Sequence, residues 1–178
     1  FLQRGGNLYV ALNRVNGNLQ NATGSAHTTG LETWLAGKGI TVENKFVVDA
    51  NCGAVTVQQQ QGFFNFASQV EFPYLPIIQN FADHPVTKGL EAIILEFASP
   101  LKHTGDTTTQ FTPLAFTSKK SGSKGVPLYF DIQKEWGEAD YMQPRLPVAG
   151  VLQRNEAGGQ QSRLLVVGDG DFAVNENS

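Results

Sequence analysis

Two carboxylates two positions apart, Asp169 and Asp171, stand in Gly168-Asp169-Gly170-Asp171-Phe172, directly after the apolar run 164–167. Loops that leave the carboxyl ends of strands are where open α/β sheets gather ligands. With Asn175 beyond, the pair offers the oxygen donors that a hard cation takes. The spacing does not complete a calcium loop of the form D-x-[DN]-x-[DN]-G, because 172–174 carry no ligand where one is needed. It does not complete G-x-G-x-x-G either, since Ala173 follows without a basic residue to open a helix. The structural alternative is that the glycines permit a tight turn while Asp171 caps a helix start.

His84 lies in Asp83-His84-Pro85-Val86-Thr87-Lys88-Gly89-Leu90. A catalytic base needs a nucleophile and an orienting acid, and the adjacent Asp83 cannot easily serve both roles. Pro85 marks a turn, so the His84 side chain is expected to bind backbone groups there. His27 and His103 fall in polar loops without H-x-x-x-H or H-E-x-x-H spacing, which argues against a catalytic zinc. No G-x-S-x-G elbow occurs. Cys52, in Asp49-Ala50-Asn51-Cys52-Gly53, follows a strand and a turn, but position 50 is Ala where an elbow wants Gly. The reading is therefore no catalytic residue, no metal site and no cofactor, with Asp169, Asp171, Asn175 and His84 as ligand- or partner-binding candidates.

These residues need strands to hold them. Residues 8–12 (Leu-Tyr-Val-Ala-Leu) form a compact apolar run entered through Gly5-Gly6, which favours a buried strand. The Asn- and Gly-rich stretch 14–25 reads as a loop. Thr28 or Thr29 can then cap a helix whose Leu31, Trp34 and Leu35 share one face, and Gly37 and Gly39 stop it. Residues 40–42 and 46–48 read as extended. Strand, helix and strand within about 40 residues make a βα(β) unit and favour an α/β layout.

Further on, Val55-Thr56-Val57 runs into four glutamines, a polar strand edge or loop. An aromatic stretch follows, with Pro73 and Pro76 forbidding a long helix. It reads as one or two strands, or a strand and an irregular crossing. Residues 92–98 read as a strong strand, 101–112 as a polar excursion and 111–117 as extended. The lysine-bearing stretch 119–125 reads as a flexible loop, and 148–152 and 164–167 as strands joined by a turn over 155–161.

The 178 residues suit one domain, 1–178. There are 13 basic and 16 acidic residues, a formal charge of −3, which leaves no electrostatic footprint for nucleic acid. A single cysteine excludes an internal disulfide and any zinc site needing two cysteines. No apolar run approaches the roughly 20 residues that cross a bilayer. The chain opens on Phe1 and its one methionine is Met142, so the expectation is a processed or excised fragment of a longer protein.

Several phrases, in order, resemble one family: Phe1-Leu2-Gln3-Arg4-Gly5-Gly6-Asn7-Leu8-Tyr9-Val10; Gly30-Leu31-Glu32-Thr33-Trp34-Leu35 with Gly39-Ile40 and Val48-Asp49; His84-Pro85-Val86-Thr87-Lys88-Gly89-Leu90; Phe97-Ala98-Ser99-Pro100-Leu101; Thr112-Pro113-Leu114 to Thr117-Ser118; and Gly168-Asp169-Gly170-Asp171-Phe172 with Asn175. The sequence is similar to the extracytoplasmic domain of gliding-motility-associated ABC transporter auxiliary (substrate-binding-like) proteins. That resemblance implies an open, mostly parallel α/β sheet with flanking helices, flavodoxin-like, as in class I glutamine amidotransferases and the GIFT domain. Residue 1 would then lie in a helix that Gly5-Gly6 ends. The amidotransferase cysteine elbow has no counterpart here.

The function implied is a non-catalytic accessory or recognition domain of an ABC transporter linked to gliding motility. Its partners would be the permease and ATPase subunits, with a small polar ligand or sugar as a further candidate. It would sit on the extracytoplasmic (periplasmic) face of the cytoplasmic membrane, held by segments outside this sequence. The alternatives are a hydrolase using Asp169 and Asp171 with a metal or His84, and a carbohydrate-binding module using Phe63, Phe64, Phe66, Tyr74, Trp34 and Trp136.

Overall fold

The computed structural model describes residues 1–61, 64–156 and 158–174. A 3-10 turn at Leu2–Arg4 ends at Gly5 and leads into β1 (Asn7–Ala11). The hairpin β2 (Val15–Asn18) and β3 (Thr23–Ala26) precedes α1 (Glu32–Lys38), β4 (Ile40–Val42) and β5 (Lys45–Asp49). A long antiparallel ribbon follows, β6 (Cys52–Gln61) and β7 (Phe64–Ile78), then the short strands β8 (Asn80–Phe81), β9 (Ile93–Ile94) and β10 (Leu101–His103). The chain continues through β11 (Thr109–Phe116), β12 (Ser121–Gly125) and β13 (Leu128–Tyr129) to a 3-10 turn at Glu138–Asp140. It ends on β14 (Pro147–Asn155) and β15 (Gln161–Val167).

The fold is 48% strand and 8% helix, which overturns the open parallel α/β expectation. The largest sheet is mixed, in the order β1-β15-β14-β11-β8, with β1 parallel to β15 and the other neighbours antiparallel. Four smaller sheets surround it, β10-β4, β12-β5, β13-β3-β2 and β6-β7-β9. A flavodoxin-like sheet needs a covering helix at each crossover, and α1 is the one α-helix among the described residues.

Three local expectations fail for reasons the packing supplies. Within residues 92–98 only Ile93–Ile94 form a strand; Leu95 and Phe97 each donate one further backbone hydrogen bond to β7, at Pro76 and Tyr74, and Phe97 adopts φ 55°. Leu95 and Ala98 are nonetheless fully buried, so the apolar density there reflects an irregular segment crossing the core. The Asn- and Gly-rich stretch 14–25 is mostly the β2–β3 hairpin rather than a loop. Its glycines are a packing device: a Cβ on Gly17 would strike the Phe97 ring, and one on Gly24 would come within 2.6 Å of the Phe46 ring. The lysine-bearing stretch 119–125 is anchored as β12 by a five-residue register against β5. Within α1, only Leu35 is buried; Trp34 stays 38% exposed.

Hydrophobic burial is organised in three clusters. In the first, Leu152, Leu164 and Val166 from one face of the large sheet pack against Leu35, Ile40, Val42 and Leu101. In the second, Phe46 meets Tyr74, Phe97 and Phe130 edge-on at ring separations of 5.6–5.8 Å, an arrangement aromatic quadrupoles favour. The third joins Val47, Ile78, Leu95 and Val148.

Candidate functional site

The Gly168–Asp171 turn proves to be a structural clamp. Asp169 is fully buried. Its Oδ1 accepts the backbone N–H groups of Asp171 and Phe172 at 2.8 and 3.2 Å, and its Oδ2 accepts that of Glu96 at 2.8 Å. Burial raises its pKa, against the opposing pull of these three donors. Asp171 lies outside at the surface and accepts the Asn13 side-chain amide at 2.6 Å. The two neighbouring aspartates therefore face different surroundings. No helix follows Asp171 among the described residues, so its expected capping role is absent, and Asn175 lies outside the described residues. No cluster of three or more potential metal ligands occurs among the described residues.

Asp49 repeats the arrangement after β5. It is fully buried, and its carboxylate accepts the Ser118 N–H and hydroxyl at 2.6 Å each and the Asn51 N–H at 2.9 Å. Sequence reading passed over this residue; its signal is an acid placed directly after the apolar run Phe46-Val47-Val48, as Asp169 comes just after 164–167.

His84 orders its own turn, with Nδ1 accepting the Val86 N–H at 3.2 Å. The turn leans on the outer face of the large sheet and, with it, walls a cleft of about 570 Å³. The cross-strand row Tyr9, Leu165 and Val151 forms the apolar floor, and Asn7, Arg163 and Gln153 form the next row. Leu8, Tyr9 and Val86 are exposed around it. Among the described residues β1 is an edge strand paired only to β15, and its outer backbone groups have no ladder partner there. His84 thus belongs to this face, whereas Asp169 and Asp171 line none of the clefts described here.

A second cleft, also of about 570 Å³, opens where the loop carrying Trp136 and Tyr141 lies over β7 and the β5–β6 turn. Asp140 fixes that loop by taking Lys124 Nζ at 2.6 Å, Lys134 Nζ at 2.9 Å and the Gly137 N–H at 3.2 Å. These partners, the Lys124 bond first, hold its carboxyl well below the usual range. Trp136 stacks on Tyr141 with ring centres 5.9 Å apart and meets Tyr74 edge-on at 5.5 Å. Burial, then Glu71 and Asp49, push the Cys52 thiol up to about 11. Burial first, and then the surrounding Cys52 and acidic groups, push Tyr141 up to about 12. At neutral pH both keep their protons, and Cys52 is a poor nucleophile.

Of the aromatic residues read as sugar-stacking candidates, Tyr74 is buried in the core and Trp34 lies on α1 beside Lys38; among the described side chains of that set, Trp136 reaches this cleft. Phe63, and the side chains of Phe64 and Phe66, lie outside the described residues.

The family model described as an ABC-type uncharacterized transport system matches residues 1–178. No curated protein and no solved structure matches the chain.

Proposed function

The chain belongs to the auxiliary family of the ABC-type uncharacterized transport system, and from that premise we propose that it is the recognition domain of such a complex. Its accessory, transport-associated role follows from the family. The finer reading is that it docks an extended, apolar segment of the permease through the face bounded by β1 and the His84 turn. The observation that carries it is the conjunction of an open edge strand, the exposed side chains Leu8, Tyr9 and Val86, and an apolar floor at Leu165 and Val151. Edge strands blunt such exposure with lysine, proline or bulges, and β1 (Asn-Leu-Tyr-Val-Ala) has none of these. A segment added beside β1 gains main-chain hydrogen bonds from the edge and side-chain pockets from the face.

The reading is non-catalytic. Both oxygens of Asp169 are taken by backbone donors, and Cys52 is held as a thiol. It places the domain on the extracytoplasmic side of the cytoplasmic membrane, with the ATPase subunit reached through the permease. The phrase likeness further supports a transporter serving gliding motility.

The test is affinity capture of the parent protein from native membranes, with identification of the co-purifying chains. A permease and an ATP-hydrolysing subunit should be recovered with the natural sequence and be lost with Tyr9→Asp, while the melting temperature of the domain is unchanged. Recovery of the parent alone from a soluble fraction refutes the reading.

A further inference from the structure

We infer that the segment docked beside β1 carries a glutamate, and that the Arg163 guanidinium on β15 receives it. The inference rests on the docking reading above and adds the chemistry of the partner. The face is polar along one cross-strand row and apolar along the next. Asn7, Arg163 and Gln153 stand in register on β1, β15 and β14, and Tyr9, Leu165 and Val151 form the row two positions away. Arg163 is exposed, and its Nη2 donates to Gln161 Oε1 at 2.8 Å. It takes part in none of the four ion pairs among the described residues. No aspartate or glutamate stands among the described residues that line the cleft.

The edge fixes where a docked strand sits. Leu12 N–H donates to Val167 O at 3.2 Å, so Leu12 turns its backbone groups toward β15. Backbone groups alternate sides along a strand, and Asn7, Tyr9 and Ala11 therefore present theirs to the outer edge. A strand hydrogen-bonded there sets alternate side chains beside Asn7 and Tyr9, on the polar and the apolar row. Neighbouring strands lie about 4.8 Å apart, so its backbone runs about 10 Å from that of Arg163. An arginine and a glutamate reaching toward each other over the short Asn7 span that gap. Desolvation then selects the anion. A wholly apolar segment would cover the guanidinium and leave most of its N–H donors without an acceptor, which is costly. A lysine there would add like charge. A carboxylate takes the guanidinium in a two-pronged, charge-assisted bond.

The experiment titrates the 178-residue chain with short fluorescein-labelled peptides that alternate valine and threonine, read by anisotropy. Glutamate, glutamine or lysine replaces the central valine, so that apolar residues stand two positions away on either side whichever way the peptide runs. The glutamate peptide should bind about tenfold more tightly than the glutamine peptide, as expected for a charge-assisted hydrogen bond, and the lysine peptide most weakly. Arg163→Gln should erase that preference, and Arg163→Glu should reverse it in favour of lysine. Arg163 is exposed and bonds Gln161 alone through its side chain, so the melting temperature of both variants should hold. Tyr9→Asp should weaken all three peptides, which reports on docking itself. Equal binding of the glutamate and glutamine peptides overturns the inference and leaves the docking reading standing, as does a glutamate preference that survives Arg163→Gln. Displacement of the glutamate peptide by equimolar inorganic phosphate also overturns it, in favour of a general anion site. Failure of every peptide to bind overturns both readings. The comparison of peptides is made on the natural sequence, so it stands whatever the variants do to folding.

Discussion

Asn13 and Asp171 stand 158 positions apart in sequence, and their side chains meet in a hydrogen bond of 2.6 Å. Asn13 also accepts the Gly170 N–H at 2.6 Å through its Oδ1. One amide side chain just after β1 thus fastens the turn that follows β15. The aspartates of that turn divide into a buried member that organises the backbone and a surface member that closes the clasp.

Asp169→Asn should therefore cost more stability than Asp171→Asn. In the first variant an NH₂ group replaces one of two oxygens that both face backbone donors, at a cost of about 1–3 kcal/mol. The second loses part of one exposed contact, about 0.5–1 kcal/mol. For a chain of this length each kcal/mol lowers the melting temperature by about 2–4 °C. Thermal melts of the two proteins decide the order, and a larger loss for Asp171→Asn would refute the clamp.

Gly168→Ala should be severely destabilising, by about 2 kcal/mol or more. The new Cβ would run into the Ser99 carbonyl oxygen. That oxygen's own residue is pinned, because Ser99 N–H donates to Gly168 O at 2.7 Å while Gly168 N–H donates to Val148 O at 2.9 Å. Gly125→Ala is the control. Nothing lies within 4 Å of its Cβ position, and its change should stay within about 0.5 kcal/mol in urea denaturation.

The strands of the large sheet were legible because they obey length and composition rules. The runs at 8–12, 111–117, 148–152 and 164–167 all fall on β1, β11, β14 and β15 with small shifts at their ends. What sequence periodicity could not supply was pairing. One strand–helix–strand unit favours an α/β layout and the family resemblance implies an open, mostly parallel sheet, yet β4 after α1 pairs antiparallel with β10 rather than joining β1. The site candidates split in the same way. His84 was read correctly as a turn residue, and the structure adds that its turn walls a cleft. Glu71, Glu138 and Tyr141 line one cleft because β7 and a distant loop bring them together, and no spacing in the chain announces that.

Phe46→Ala should cost about 3–5 kcal/mol, since it empties the centre of the aromatic cluster. Phe46 is fully buried and touches Tyr74, Phe97 and Phe130 ring to ring. Trp34→Ala, on the 38%-exposed face of α1, should cost far less despite removing a larger side chain. Chemical denaturation of the pair measures the contrast.

Glu32 gives a pH-dependent prediction. The Thr29 backbone N–H leads the groups that hold its pKa near about 2 instead of 4.5, with the Thr29 hydroxyl and Arg14 assisting. A carboxylate whose folded pKa is lowered stabilises the fold fully above its unfolded pKa, and the contribution fades as pH falls toward the folded value. The stability advantage of the natural sequence over Glu32→Gln should accordingly be constant above about pH 5.5, decline below about pH 4.5 and be lost only as pH falls through about 2. Urea melts at a series of pH values check this, and a gap that widens on acidification would contradict it.

The parallel pairing of β1 with β15 has a mechanical consequence. Because the first and last strands of the large sheet run side by side in the same direction, chain entering β1 and chain leaving β15 do so at opposite ends of one hydrogen-bonded seam. A pull between those two points loads every rung of the seam at once, in shear, instead of unzipping the rungs singly. In a machine that transmits force across a membrane, such a domain would behave as a stiff link: it would pass tension along and resist being drawn out by it.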